Sequence, residues 1–339
     1  MSANHGQSKE KAFAIIHAMK EAGADAVKLQ TYTPDTITID CRNASFVDCL
    51  QGTLWEGHSL YELYGDAFTP WEWQADLKRE AETLGMDCFS TPFDVSAVDF
   101  LETLHVPAYK VASFELIHLP LLRRIAKTGK PIILSTGMAT REEIAEALSV
   151  VRGTGNDQTA LLKCTSAYPA TIEDTNLRTI PAMREEFGVP VGLSDHTPGS
   201  IVPVAAMTMG ACIIEKHVVL DRERDRGPDS AFSMEPQEFR AMVEAVREAQ
   251  RDPDAVARDG AALGHVHYGP TAGDKKSMVF RPSVFVVEDV KEGDRFTEKN
   301  LRIIRPGYGL PPREFDRVLG RKATCSIERG TPLTWAMVS

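Results

Sequence analysis

Gly192-Leu-Ser-Asp-His-Thr197, followed by Ile213-Ile-Glu-Lys-His217, is the stretch that decides the fold of this chain. Each half is a short apolar run that stops at a histidine: Val189 to Leu193 leads into Ser194, Asp195 and His196, and Ala211 to Ile214 leads into Glu215, Lys216 and His217. Between them, Ser200 to Gly210 is apolar and small enough to be a crossover helix. Two successive strands of a parallel β/α unit put both histidines at the C-terminal edge of one sheet, the edge where α/β barrels keep their chemistry. Two imidazoles there offer half of a ligand set for a divalent metal such as Mn²⁺. The same pattern also fits two polar strand-end residues that hydrogen-bond neighbouring loops.

Working outward, the same rhythm recurs. Apolar β-prone runs near 26–31, 87–91, 108–112, 131–136 and 160–165 precede those at 190–195 and 211–217. Lys9 to Ala22 has apolar residues at 12, 13, 15, 16 and 19, a helical period that Gly23 closes. Thr69 is expected to cap a helix opening Pro70-Trp71-Glu72, with Thr-x-x-Glu as a capping box. Repeated β-α units favour a parallel sheet with right-handed crossovers. The best fit is a TIM (β/α)8-type barrel whose first strand is missing from this chain. Residues 32–64, with Trp55 and several glycines, are expected as a loop region over the barrel mouth. The barrel domain is placed at 1–250, a linker at 251–282, and a small β-rich domain at 283–339, where short β-prone runs alternate with Gly and Pro. His265-Val-His267 falls in the linker and reads as solvated loop rather than a metal pair.

A formal net charge of −10 and the lack of a Lys/Arg run argue against a nucleic-acid surface. No apolar run approaches the length of a membrane span, and the N-terminal residues do not read as a signal peptide. The six cysteines form no C-x-x-C pair. Cys88, Cys164 and Cys212 sit in apolar runs, so buried, reduced thiols in a cytoplasmic protein are expected.

Strand ends supply the candidate chemistry. Lys28 and Gln30 share one face of their strand because side chains alternate with period two. Thr91, Lys110 and Ser113, Ser135-Thr-Gly137, Lys163, and Ser166 with Tyr168 lie within or just beyond the following strands. Lysines, hydroxyls and glycine-flanked backbone at one barrel mouth suit an anionic ligand, phosphate especially. Lys28 and Lys110 sit amid apolar neighbours, where an unpaired charge is costly, so a buried counter-charge is expected.

Lys28-Leu-Gln-Thr-Tyr-Thr-Pro-Asp35, Phe89-Ser-Thr-Pro-Phe-Asp94, Tyr109-Lys-Val-Ala-Ser-Phe-Glu115 and Leu134-Ser-Thr-Gly-Met138, together with Cys164-Thr-Ser-Ala-Tyr-Pro169, Leu193-Ser-Asp-His-Thr197, Glu215-Lys-His217 and Gly227-Pro-Asp229, resemble the sialic acid synthase family. The tail with Arg305-Pro-Gly307 is similar to that family's antifreeze-like (SAF) domain. Ser2-Ala-Asn-His5, Thr33-Pro-Asp-Thr36, Gly52-Thr-Leu-Trp-Glu56, Tyr61-Glu-Leu-Tyr64, Thr69-Pro-Trp-Glu-Trp73 and Ala112-Ser-Phe-Glu115 narrow the resemblance to the branch that forms pseudaminic acid.

The resemblance implies condensation of phosphoenolpyruvate with an open-chain amino-sugar aldehyde. It implies that His196 and His217 bind Mn²⁺ or Mg²⁺, and that Lys28, Thr91, Lys110, Ser113, Ser135, Ser166, Tyr168 and Ser194 surround the phosphoenolpyruvate. Gln30 and Asp229 would lie near the sugar, and Arg305 would reach over the barrel of the partner in a homodimer. Glu115 is a candidate general acid/base alongside Asp229 and Lys110, or a structural ion-pair member.

Two departures stand out. Where many members have Asn-His-Asn-Gly, this chain has Asn4-His5-Gly6-Gln7. The family's catalytic glutamate, four positions before that Asn, falls immediately before Met1, which implies a native start about 15–20 residues upstream. A barrel short of one strand exposes two edges and opens its core. Rival readings are a Schiff-base aldolase using a barrel lysine, a synthase for a different acceptor leading to sialic or legionaminic acid, and a non-catalytic sugar-binding homologue.

Overall fold

The computed structural model describes residues 1–51, 56–253 and 260–339. Residues 52–55 of the Gly52-Thr-Leu-Trp-Glu56 run, and 254–259 of the expected linker, lie outside the described residues. Seven strands form one parallel sheet in sequential order: β1 (Ala26–Thr31), β2 (Asp87–Pro92), β3 (Tyr109–Val111), β4 (Ile132–Ser135), β5 (Thr159–Cys164), β6 (Val191–Asp195) and β7 (Ile214–Lys216). Each expected strand is present, trimmed or extended by a residue or so at its ends. The exception is β7, which starts at Ile214 and leaves Cys212 ahead of the strand and exposed. The expectation of a buried Cys212 is therefore corrected; Cys88 and Cys164 are buried as expected.

Side-chain alternation sorts each strand into two faces. Tyr109, Val111, Ile132, Leu134, Leu161, Val191 and Leu193 face outward into one large apolar cluster with the helices Val95–Thr103, Leu119–Ala126, Arg141–Arg152 and Thr179–Phe187. The complementary positions, among them Lys28, Lys110, Ser135 and Ser194, are left for the barrel interior. Local chemistry starts the helices: Ser8 accepts from the Lys11 amide, and Thr140 forms a capping box with Glu143. The expected Thr69–Glu72 box does not form. Pro70 is the N-cap, and the Thr69 hydroxyl instead meets His5 Nε2 at 3.0 Å.

Among the described residues β1 and β7 do not pair, so the sheet is an open, seven-stranded barrel. A cavity of about 760 Å³ lies between these two edges, with Ile15, Val27 and Met242 in its walls and Lys28, Glu215 and His217 at one end. The short 3₁₀ turn Ser2–His5 sits beside that end: the Met1 amino group donates to the Lys28 carbonyl, and the Asn4 amide donates to Val218 O and Ser233 Oγ.

Residues 32–64 are more than a loop. They carry the short helices Pro34–Ile37 and Ala44–Val47, and their Ile37, Phe46 and Leu50 share an apolar cluster with Phe285, Val287 and Ile304 of the tail. This segment is the seat of the tail domain. The tail has an antiparallel pair, β8 (Ser283–Val286) and β9 (Leu301–Ile304), over its own core of Val284, Phe296, Val318 and Leu333. The linker is likewise packed: Ala262 belongs to the barrel's outer cluster, and Gly273–Phe280 is a 3₁₀ helix with Asp274 and Ser277 buried. His265 is exposed, in keeping with the loop reading.

Candidate active site

The two histidines arrive where strand order requires. His196 follows β6 and His217 follows β7, with ring centroids 5.4 Å apart. The His196 Nδ1–H donates to the Thr165 carbonyl at 2.8 Å, which makes Nε2 the nitrogen that carries the lone pair whenever the ring is neutral. On His217, Nδ1 lies 3.1 Å from Ser2 Oγ and 3.6 Å from Asp229 Oδ2. Burial, reinforced by His196 and Lys28, holds the His217 pKa well below the usual imidazole value, so the ring is neutral, the form that binds metals. Phe232 and Tyr168 wall the pair, Tyr168 lying 4.6 Å from the His196 ring while remaining 41% exposed. No group of three or more His, Cys, Asp or Glu side chains poised for a metal occurs among the described residues. The two imidazoles, with Asp229 beside His217, are the groups here that could serve as ligands to a cation taking most of its positions from water or substrate oxygens.

Beside them is a charge cluster. Glu215 Oε2 is 2.9 Å from Lys28 Nζ, and its Oε1 is 3.7 Å from Lys110 Nζ and accepts from Ser194 Oγ at 2.7 Å. Lys110 also donates to Ser135 Oγ at 2.6 Å and to the Val111 carbonyl at 2.9 Å. This is the buried counter-charge that the apolar surroundings of both lysines demanded. Burial alone would push the Glu215 carboxyl up, but Lys110 and Lys28 outweigh it and hold the group well below the usual carboxylate range. Burial pulls Lys110 down to about 8, with Glu215 opposing. Glu215 was not singled out from the sequence as a site residue. The available signal was its place two residues before His217, on the same face of β7.

A hydroxyl pair closes the other side. Ser113 Oγ and Ser166 Oγ are 2.8 Å apart, from the loops after β3 and β5. Gly137, after β4, fits between them: its φ is +50°, and a β-carbon there would overlap Ser113 Cβ and Ser166 Oγ. Gln30 and Thr91 are register partners at the ends of β1 and β2. Lysines and serine hydroxyls thus line the mouth, a donor set chemically suited to an anion.

Arg305 comes to the barrel mouth from the tail. In this chain the tail lies against its own barrel, and Arg305 donates through Nε and Nη2 to Glu115 Oε1 at 3.1 and 2.6 Å, and through Nη1 to Tyr64 Oη at 3.1 Å. Phe93, Phe114 and Tyr64 surround the guanidinium. Glu115 is 2% exposed, its Oε2 has no hydrogen-bond partner among the described residues, and burial raises its pKa while Arg305 offsets this in part. The cluster has an apolar rim and one unpaired acceptor, a shape suited to an uncharged polar substituent. Neither Tyr64 nor Phe93 was singled out from the sequence as a site residue: Tyr64 lies on a segment that only folding brings to the mouth, whereas Phe93, one residue past β2, carried the signal of a strand-end position.

Residues 15–255 match the NeuB family model and residues 281–339 match the SAF domain model. The pseudaminic acid synthase of Helicobacter pylori is 44% identical over 98% of this chain and 95% of its own length. The N,N'-diacetyllegionaminic acid synthase of Legionella pneumophila is 33% identical over 98% of this chain and 91% of its own. The spore coat polysaccharide biosynthesis protein SpsE of Bacillus subtilis superposes with a TM-score of 0.83 at 31% identity, covering 99% of this chain and 93% of that one.

Proposed function

The chain belongs to the NeuB family, and from that membership we propose that it is a pseudaminic acid synthase, joining phosphoenolpyruvate to 2,4-diacetamido-2,4,6-trideoxy-L-altrose and water to give pseudaminic acid and phosphate. The observation that carries the acceptor is the identity pattern: 44% to a pseudaminic acid synthase against 33% to a legionaminic acid synthase, each across nearly the whole chain. A new bond joins the enol methylene carbon to the sugar's aldehyde carbon, water adds to the neighbouring carbon, and phosphate leaves.

The chain's own residues support this chemistry. Lys28 and Lys110, with Ser113, Ser135, Ser166 and Ser194, offer cation and hydroxyl donors to the carboxylate and phosphate, in a site dry enough for them to count. Thr91 adds to the phosphoenolpyruvate donors, Gln30 beside it lies toward the sugar, and Tyr168 covers the mouth. Glu115, whose pKa burial raises, and Asp229 are the carboxyls placed to move protons. His196 and His217 would hold Mn²⁺ or Mg²⁺, which when bound supplies Lewis-acid polarisation of a carbonyl oxygen. Six free cysteines fit the reducing cytoplasm.

Phosphate release from phosphoenolpyruvate, with Mn²⁺ and the altrose or N-acetylmannosamine as acceptor, tests the proposal. Turnover with the altrose is expected. Turnover only with N-acetylmannosamine overturns the acceptor, and phosphoenolpyruvate binding with no release for any acceptor favours a sugar-binding homologue. Loss of turnover with EDTA, and weaker Mn²⁺ binding by calorimetry in His196→Ala and His217→Ala, checks the metal. A homodimer is part of the proposal. Mixing Arg305→Ala with His196→Ala chains assigns the arginine: recovered activity places it in the partner's site, and none leaves it with its own barrel.

A further inference from the structure

Asp274 lies in the segment between barrel and tail, far in sequence from every barrel strand. It is 1% exposed. Its Oδ1 accepts the Ser166 backbone N–H at 2.5 Å and its Oδ2 accepts that of Thr271 at 2.8 Å, while its own N–H donates to Thr271 Oγ1 at 3.3 Å. Among the described residues no Lys, Arg or His stands within 4.0 Å of this carboxylate, so backbone amides carry its charge. That is a strong form of hydrogen bond, and a costly one to break when buried. The neighbouring Gly273 presses on the same loop: a β-carbon there would lie 3.0 Å from Asp174 Oδ2 and 3.1 Å from Ala167 Cβ. Lys163, buried on β5 and donating to the Cys164 carbonyl, is drawn down in pKa by burial, with Cys164, Asp274 and Asp174 opposing.

The far end of the segment is tied as firmly. Arg281 makes a two-pronged pair with Glu143, and the Gly307 amide, two residues beyond Arg305, donates to the Val279 carbonyl. One short stretch thus grips the Ser166 loop at one end and the Arg305 loop at the other.

We infer that Asp274 is a positioning residue for the anion subsite: by fixing the Ser166 amide it sets the Ser166 hydroxyl against Ser113, and it makes the connecting segment a working part of the phosphoenolpyruvate site. The inference rests on Ser113 and Ser166 facing the phosphoenolpyruvate. Removing the carboxylate frees the loop after β5 and leaves the lysines and the Arg305 cluster in place, so the loss falls on one substrate only.

The test compares Asp274→Ala, Asp274→Asn and Ser166→Ala, each checked by circular dichroism as folded at the assay temperature. Phosphoenolpyruvate binding is read by calorimetry, which needs no turnover, and the KM values of both substrates by phosphate release. Asp274→Ala is expected to weaken phosphoenolpyruvate binding and raise its KM about 10- to 100-fold, with the acceptor KM within about twofold. Asp274→Asn keeps one carbonyl acceptor for two amides and is expected to fall between; it carries the test if the alanine variant does not fold. Equal rises in both KM values, or lost thermal stability with unchanged phosphoenolpyruvate affinity, would overturn the positioning role. Should Ser166→Ala leave phosphoenolpyruvate binding untouched, the serine subsite itself is wrong. If Ser166→Ala weakens binding and neither Asp274 variant does, only the inference about Asp274 fails.

Discussion

Glu215→Gln is the sharpest test of how the site is held together. The substitution keeps the shape and the Ser194 contact but removes the negative charge shared by Lys28 at 2.9 Å and Lys110 at 3.7 Å. At an effective dielectric of about 20, each attraction is worth roughly 5 kcal/mol before desolvation. Taking three charges out of water cancels much of that. What is lost on removing one partner of a buried cluster is about 3–5 kcal/mol, dominated by the charge left behind. The Glu215 and Lys28 side chains keep 15% and 17% of their exposure, which argues for the lower end. We expect a loss of about 3 kcal/mol in urea unfolding at neutral pH. The sign with pH follows from the depressed carboxyl: its contribution is present above the ordinary glutamate pKa of 4.5 and is lost as pH falls below that range. The variant should lack this acid-labile part. An anion that neutralises the two lysines should restore stability, so inorganic phosphate or phosphoenolpyruvate should raise the melting temperature more in Glu215→Gln than in the parent. A loss under about 1 kcal/mol, or an anion effect equal in both proteins, would refute the counter-charge argument.

Three further outcomes follow from other parts of the site. Lys110, with its pKa drawn down by burial to about 8, should lose its charge above that pH, so the KM for phosphoenolpyruvate should climb between pH 8 and 10. Over the same window the unfolded lysine, at 10.5, binds the extra proton, so fold stability should rise as affinity falls. Gly137→Ala must accommodate both φ +50° and overlap with Ser113 and Ser166; a stability loss of about 1–2 kcal/mol with a raised phosphoenolpyruvate KM is expected in denaturant melts and kinetics. Arg305→Ala leaves Glu115 buried without its partner and should cost about 3–5 kcal/mol. Adding Glu115→Gln should return part of that, a coupling that a double-mutant cycle measures directly.

The strands and the paired strand-end histidines could be read from the chain because they depend on period and order alone. A period of two puts Lys28 with Gln30 on one face, and a β-α-β unit puts His196 and His217 at one edge whatever the rest of the chain does. Burial logic went a step further: two lysines among apolar neighbours called for a buried partner, though not which one. Glu215 became that partner only once β7 lay within reach of β1 and β3 across the barrel interior. Local rules also failed where a distant group competed. Thr69 reads as a cap, yet its hydroxyl is held by His5, 64 residues away.

What the sequence determined by itself is therefore the short-range part: the parallel β/α order, the face each strand residue takes, and the family whose motifs sit at the strand ends. Only the tertiary structure decided that residues 32–64 seat the tail domain, that Arg305 meets Glu115 and Tyr64, and that Asp274 grips Ser166. The Asp274 and Arg305 contacts alone span 108 to 241 residues. No local propensity encodes them, because each exists only when a closed core has already brought remote segments together and excluded the water that would otherwise satisfy the same groups.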